Sequence, residues 1–249
     1  MTNIPTSINY DAASQTYDLV RRPDVALVER LVAGVELTPE STVLDIGCGT
    51  GNYADLLQRV TGAQIYGVDP SVGMLEKART KNPAIICHQS TADQLPFDNT
   101  FFDLVYMTDV IHHIPDMHAM FTDIHRALKV DGKVCIVTQS HAQIDRRPIV
   151  TFFPSTASVD KARYPDLPQI VASARQVGLH HFKTDTVFAG DPVELGEDFL
   201  ELVRHKGYSM LRLISQEEYV VGLKNLQAQL ELGDISAHQA GETLLWFQK

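Results

Sequence analysis

The chain has 249 residues, enough for one large α/β domain or a core domain with an added cap. Hydrophobic residues make up 44% and charged residues 21%, a soluble globular balance, and no apolar run approaches the roughly 18 residues of a membrane span. With 21 Lys and Arg against 31 Asp and Glu, the formal charge of −10 excludes a broad non-specific nucleic-acid surface while leaving room for a small basic pocket.

The N-terminal stretch "MTNIPTSINYDAASQTYD" is polar and acidic and lacks the basic flank and apolar run of a secretory signal. From residue 42 strands and helices alternate. "TVLDIG" (42–47) reads as a strand, followed by a helix over 51–60 with Tyr53, Leu56, Leu57 and Val60 on one face. "QIYGVD" (64–69) is the next strand, and Ser71 is placed to cap a helix over 71–80. Strands over 84–89, 101–107 and 132–139 bracket a helix over 117–128. Strand runs that are apolar throughout, separated by amphipathic helices, indicate a parallel sheet covered on both faces. The alternating "HHFKTDTVF" (180–188) reads as a strand nearer the edge, and "ETLLWFQK" (242–249) completes a seven-strand sheet.

Two segments break the alternation. Residues 140–168 carry three prolines and aromatic clusters, and residues 189–238 read as two helices, "PVELGEDFLELVRHKG" and "SQEEYVVGLKNLQAQLELG". Loops at the carboxyl ends of parallel strands bind ligands in such sheets, so both segments are expected to wall or cover a substrate pocket. Packing against the sheet edge is the plainer alternative. "RHKGYSMLRLIS" (204–215) reads as a lid helix carrying Tyr208, Met210 and Leu211, and its apolar spacing is equally that of a core-packing helix.

The chemistry concentrates in "VLDIGCGTGNY" (43–53), a strand running into glycines at 47, 49 and 51. A dinucleotide fingerprint wants its third glycine where Asn52 stands, and the phosphate loop's Gly-Lys-Ser/Thr is absent. Asp45, at the strand end below the loop, would repel a pyrophosphate and suits a ligand that brings a cation. Asp69 ends the second strand, where a carboxylate accepts both ribose hydroxyl protons. An adenosine joined to an amino-acid tail through a sulfonium meets these demands.

The motifs "VLDIGCGTGNY" (43–53), "GVDPSVGMLEKA" (67–78), "ADQLPF" (92–97) and "FFDLVYMTDVIHHI" (101–114) resemble, in order and spacing, those of the class I S-adenosylmethionine-dependent methyltransferases. The "VIHHI" variant is similar to the small-molecule branch that includes ubiquinone and menaquinone biosynthesis enzymes. The resemblance implies an α/β fold: a Rossmann-like, seven-strand, mostly parallel sheet with helices on both faces and a helical cap or lid. It implies an N-terminal cofactor-covering segment (1–35), a methyltransferase core (36–139, 168–188 and 240–249) and substrate cap insertions (140–167 and 189–239). The cofactor implied is S-adenosyl-L-methionine, held by Tyr17, Arg21, Asp45, Gly47, Cys48, Gly49, Asp69, Pro70, Met74, Ala92, Asp93, Gln94, Thr108 and His113. His113 and Tyr17 are the catalytic candidates, since a histidine can deprotonate a hydroxyl or amine acceptor. Tyr10, Arg146, Phe153, Tyr208 and Leu211 are the candidates for holding the acceptor.

The expected activity is methyl transfer to a small-molecule acceptor by in-line displacement. A non-methylating binding protein of the same fold stays open, as does, less strongly, a nicotinamide-dependent oxidoreductase. His118 and His125 share a helix face but lack further ligands at zinc spacing, so no metal is expected. Cys48, Cys87 and Cys135 are odd in number and far apart, as reduced thiols of a cytoplasmic protein would be. No nucleic-acid partner or membrane span is expected.

Overall fold

The computed structural model describes residues 23–249. Helix α1 (Val25–Ala33) opens on Asp24, whose side chain accepts from the backbone N–H groups of Ala26 and Leu27. Then β1 (Thr42–Ile46), α2 (Asn52–Thr61), β2 (Gln64–Asp69), α3 (Val72–Lys81) and β3 (Ile86–Gln89) alternate. They are followed by β4 (Phe102–Thr108), α4 (Met117–Ala127) and β5 (Leu128–Thr138). Ser71 caps α3 by accepting from the N–H of Met74.

The strands form a seven-stranded sheet in the order β3-β2-β1-β4-β5-β9-β6, where β6 is His180–Val187 and β9 is Glu242–Gln248. All ladders from β3 to β5 are parallel, and β9 runs antiparallel to both of its neighbours. The alternation of side chains along each strand splits the core in two. Val43, Leu104, Tyr106, Leu244 and Trp246 face α1 and α2. Leu44, Val105, Met107, Leu245 and Phe247 face α4 and α7 (Leu167–Gln176). Both faces are dry, which is why these strands carry no polar-apolar alternation.

On α2 the buried residues are Ala54 and Leu57. Val60, expected on the same face, is 55% exposed.

The two interrupting segments hold more structure than their sequence suggests. Residues 141–176 contain α5 (His141–Ile144), α6 (Ser155–Arg163) and α7. Residues 192–195, expected as the start of a helix, instead form β7 (Pro192–Leu195), paired antiparallel with β8 (Ile235–His238) in a second, two-stranded sheet. The cap is therefore not wholly helical. Between those strands lie α8 (Glu197–Arg204), a 3-10 turn at Ser209–Arg212 where a lid helix was expected, and α9 (Gln216–Leu230). This region has its own core, built from Ile149, Phe153, Leu200, Val203, Leu211 and Leu226 among others. Phe153 lies flush on α9 at Gly222, where a Cβ would come within 2.4 Å of its ring.

Candidate functional site

Strand order reverses direction between β1 and β4, the switch point where open α/β sheets leave a crevice beyond the strand ends. A cavity of about 1090 Å³ opens there, bounded by the ends of β1, β2 and β4 on one side and by the 139–164 and 193–213 segments on the other.

At its inner end the chain turns sharply through Gly47, Gly49 and Gly51, with φ of 70°, 52° and 77°. These left-handed conformations are costly for any side chain but glycine. At Gly47 a Cβ would also lie 2.5 Å from Val110, so the loop is pressed against the turn after β4. At Gly49 a Cβ would meet nothing within 4 Å; here backbone faces open space. Asp69 ties this loop to β2. Its Oδ2 accepts the N–H of Gly49 (3.0 Å) and its Oδ1 accepts the N–H of Ser71 (2.8 Å).

Asp45 lines the same end and is only 3% exposed. Burial, reinforced by the nearby Asp69 charge and opposed in part by Tyr106, pushes its carboxyl up to about 8. A cation arriving at Asp45 would offset the desolvation and return the carboxyl to its ionised form.

Ala92, Asp93 and Gln94 form one wall beside Pro70 and Met74. Their loop is pinned from below: Arg126 on α4 donates to the carbonyls of Leu95 (3.0 Å) and Phe97 (2.7 Å), and Asp123 accepts the N–H of Leu95.

Beyond β4 the floor is made by Thr108, Asp109 and the 3-10 turn Ile111–His113. The His112 ring stacks on Tyr164, with centroids 4.0 Å apart and planes 10° from parallel. His113 opens onto the cavity, yet the surrounding protein desolvates it and, together with the charge of Arg163, pushes it down to about 4. It is therefore a neutral imidazole at neutral pH, able to accept a proton. Above the floor, Asp160 is 2% exposed and receives Arg147 on Oδ2 and Arg163 on Oδ1. Arg147 also donates to Gln139 and lies over the Tyr164 ring at 5.3 Å. Burial outweighs both guanidinium groups and leaves Asp160 above the usual carboxylate range.

Of the residues expected at the cofactor, Asp45, Gly47, Cys48, Gly49, Asp69, Pro70, Met74, Ala92, Asp93, Gln94, Thr108 and His113 all line this one cavity. Tyr10, Tyr17 and Arg21 lie outside the described residues. Of the expected acceptor residues Tyr208 lines the cavity, and three others do not. Arg146 is turned outward, its Nε donating to the carbonyl of Ala142 (3.1 Å), while its neighbour Arg147 points in. Phe153 and Leu211 are fully buried in the cap's own core. The sequence reading left out Tyr53, Asp160, Arg163 and Tyr164. The last three come from a segment whose helices follow prolines, and no spacing links them to the glycine loop.

Among the described residues no group of three His, Cys, Asp or Glu side chains is placed to hold a metal ion, and no helix is long and apolar enough to cross a membrane.

Residues 44–136 match the family described as "Methyltransferase domain". The chain is 29% identical over 150 residues to demethylmenaquinone methyltransferase of Chlorobaculum parvum, a match over 57% of this chain and 61% of the relative. It thus spans less than two thirds of that relative's length. Among solved structures, it resembles a protein described as a methyltransferase from an antibiotic biosynthesis pathway of Anabaena variabilis. That likeness has a TM-score of 0.75 at 22% identity and covers 91% of this chain and 98% of the other. It also resembles Haemonchus contortus phosphoethanolamine N-methyltransferase 2, solved in complex with S-adenosyl-L-methionine: TM-score 0.64, 21% identity, 98% of this chain and 60% of that one. The glycine loop, the acids at the ends of β1 and β2, the seven-strand order and the matched region converge: residues 44–136 match a methyltransferase domain, and the chain has the fold of the solved methyltransferases it resembles.

Proposed function

We propose that the protein is an S-adenosylmethionine-dependent methyltransferase acting on a small molecule. The observation that carries this reading is the charge of the cavity's inner end. Asp45, Asp69 and Asp93 line it, and the arginines that line the cavity, Arg147, Arg163 and Arg212, all belong to the cap. Such an end repels a pyrophosphate and receives an ammonium and a ribose.

The residues fit the cofactor part by part. Asp45 faces the ammonium, Asp69 accepts from the ribose hydroxyls, and the open backbone at Gly49 leaves room for the ligand to approach closely. Ala92, Asp93 and Gln94 flank the adenine, together with Met74 and Pro70. When bound, S-adenosylmethionine supplies a methyl group on a sulfonium leaving group. The floor at Thr108–His113 positions the acceptor, and the neutral His113, a weak base, accepts a hydrogen bond from a hydroxyl or amine nucleophile and orients it. The cap walls exclude water and hold the acceptor in line, the larger part of the rate for a group already activated.

The acidic surface argues against a nucleic-acid acceptor, and the three free thiols, Cys48, Cys87 and Cys135, suit a cytoplasmic protein. Calorimetry with S-adenosylhomocysteine and with NAD tests the cofactor: binding of the first is expected, and tight binding of NAD alone would sink the reading. Incubation with methyl-labelled cofactor and metabolite pools tests the activity. Cofactor binding with no label transferred would leave a non-methylating protein of the same fold.

A further inference from the structure

We infer that the methyl acceptor is a small acid, a carboxylate on an apolar body, and that Arg163 anchors the carboxylate beside His113. The inference rests on the methyltransferase reading above and names its substrate class.

In the cap, cations outnumber the anions that hold them. Arg147 and Arg163 converge on one buried carboxylate, Asp160. Arg147 donates to Gln139 and to Asp160 and its cationic plane covers Tyr164. Arg163 is held by fewer bonds. Its Nη2 donates to Ser209 Oγ at 3.2 Å. Its Nη1 stands 3.3 Å from Asp160 Oδ1 without hydrogen-bond geometry, and both atoms are buried with no hydrogen-bond partner among the described residues. Arg163 is thus held to Asp160 by charge and not by a hydrogen bond. The side chain of Arg163 is 19% exposed and lines the cavity, so a ligand can reach it.

Position and shape narrow the ligand. The charge of Arg163 is felt at His113, so an anion held here lies next to the floor of the methyl-transfer site. A guanidinium offers a planar fork that matches a carboxylate with two parallel bonds. The cap side of the cavity is mostly apolar, with Ile149, Leu195, Phe199, Met210 and Leu213 beside Tyr208, and carries Glu194 and Arg212 as its other charges. A dianion is disfavoured, because Asp109 and Asp160 both act on this cluster. One negative charge and an apolar body suit these walls.

The test uses the full chain saturated with S-adenosylhomocysteine. Benzoate, phenylacetate and hexanoate are titrated by calorimetry against their primary amides, with phenyl phosphate as a dianionic probe. Acids are expected to bind at least about tenfold tighter than amides and tighter than phenyl phosphate. Arg163→Gln should lose at least about tenfold in acid affinity with S-adenosylhomocysteine affinity unchanged, and Arg163→Lys should recover only part of the loss. Equal binding of acids and amides, no acid binding up to about 10 mM, or an Arg163→Gln variant that binds acids like the wild type would each overturn the inference. Tighter binding of phenyl phosphate would overturn the choice of a carboxylate. Should Arg163→Gln fail to fold, the acid–amide comparison on the wild type and on Arg163→Lys decides alone. Failure of S-adenosylhomocysteine to bind at the outset would remove the cofactor reading and this inference with it, whereas its binding without acid discrimination removes only the inference.

Discussion

The two ends of one cavity are built in opposite ways. The inner end is made of strand tips and a glycine loop, its lining charges are acidic, and backbone N–H groups hold Asp69 in place. The cap end is made of short helices and turns, its lining cations are three arginines, and side chain holds side chain through Arg147, Asp160 and Arg163. Backbone placement follows from the sheet and cannot drift without unpairing a strand. Side-chain placement in the cap depends on a small separate core and is free to differ without disturbing the sheet. The inner end is thus suited to an invariant ligand and the cap end to a particular acceptor.

Breaking the cap network is the largest single change expected. Arg147→Ala strands Asp160 without its best partner in a dry site and should cost about 3–5 kcal/mol in urea unfolding. If the ends are independent, the folded fraction should keep its affinity for S-adenosylhomocysteine within about threefold, as expected for distant sites. A large loss of affinity would mean that the ends are coupled.

At the inner end, Asp69→Ala removes the acceptor for two hydroxyls and unties Gly49, and should weaken S-adenosylhomocysteine by about 3 kcal/mol, over a hundredfold by calorimetry. Affinity kept within threefold would leave the inner end without its assigned ligand. Gly47→Ala should lower stability by about 2 kcal/mol, from the left-handed backbone and the collision with Val110, read as a drop in Tm.

The charge of the inner end can be sharpened by pH. Asp45 titrates at about 8 when folded, far above the ordinary carboxylate value, so the unliganded protein keeps it protonated at neutral pH. An ammonium needs it ionised. Affinity for S-adenosylhomocysteine should therefore fall roughly tenfold from pH 7 to pH 6, and Asp45→Asn should flatten that dependence. The sign for stability is opposite. A carboxyl whose folded value is raised stabilises fully only below its unfolded value and loses that contribution as pH rises toward 8. Asp45→Asn, which cannot ionise, should hence make the unliganded protein more stable at pH 8 than the wild type.

The smallest effect is a missing one. With His113 held near 4, its imidazole resonances should show no titration between pH 5.5 and 8 when followed by NMR. A midpoint near 6.5 would mean that the cap does not desolvate it.

The sequence by itself determined the sheet and the inner end. All-apolar strands, the positions of Gly47, Gly49 and Gly51, and carboxylates at the tips of β1 and β2 are local signals, because side-chain period and left-handed backbone are properties of a few neighbouring residues. Twelve of the residues expected at the cofactor line one cavity for that reason. Only the tertiary structure decided the cap. Whether Arg146 or Arg147 turns inward, whether Phe153 and Leu211 face a ligand or a core, and whether residues 192–195 pair with 235–238 depend on partners far away in the chain. Arg163 illustrates the limit: one cation on one turn of helix is ordinary in a sequence. It becomes a binding group only when Asp160, Ser209 and His113 are brought around it by packing that no local pattern encodes.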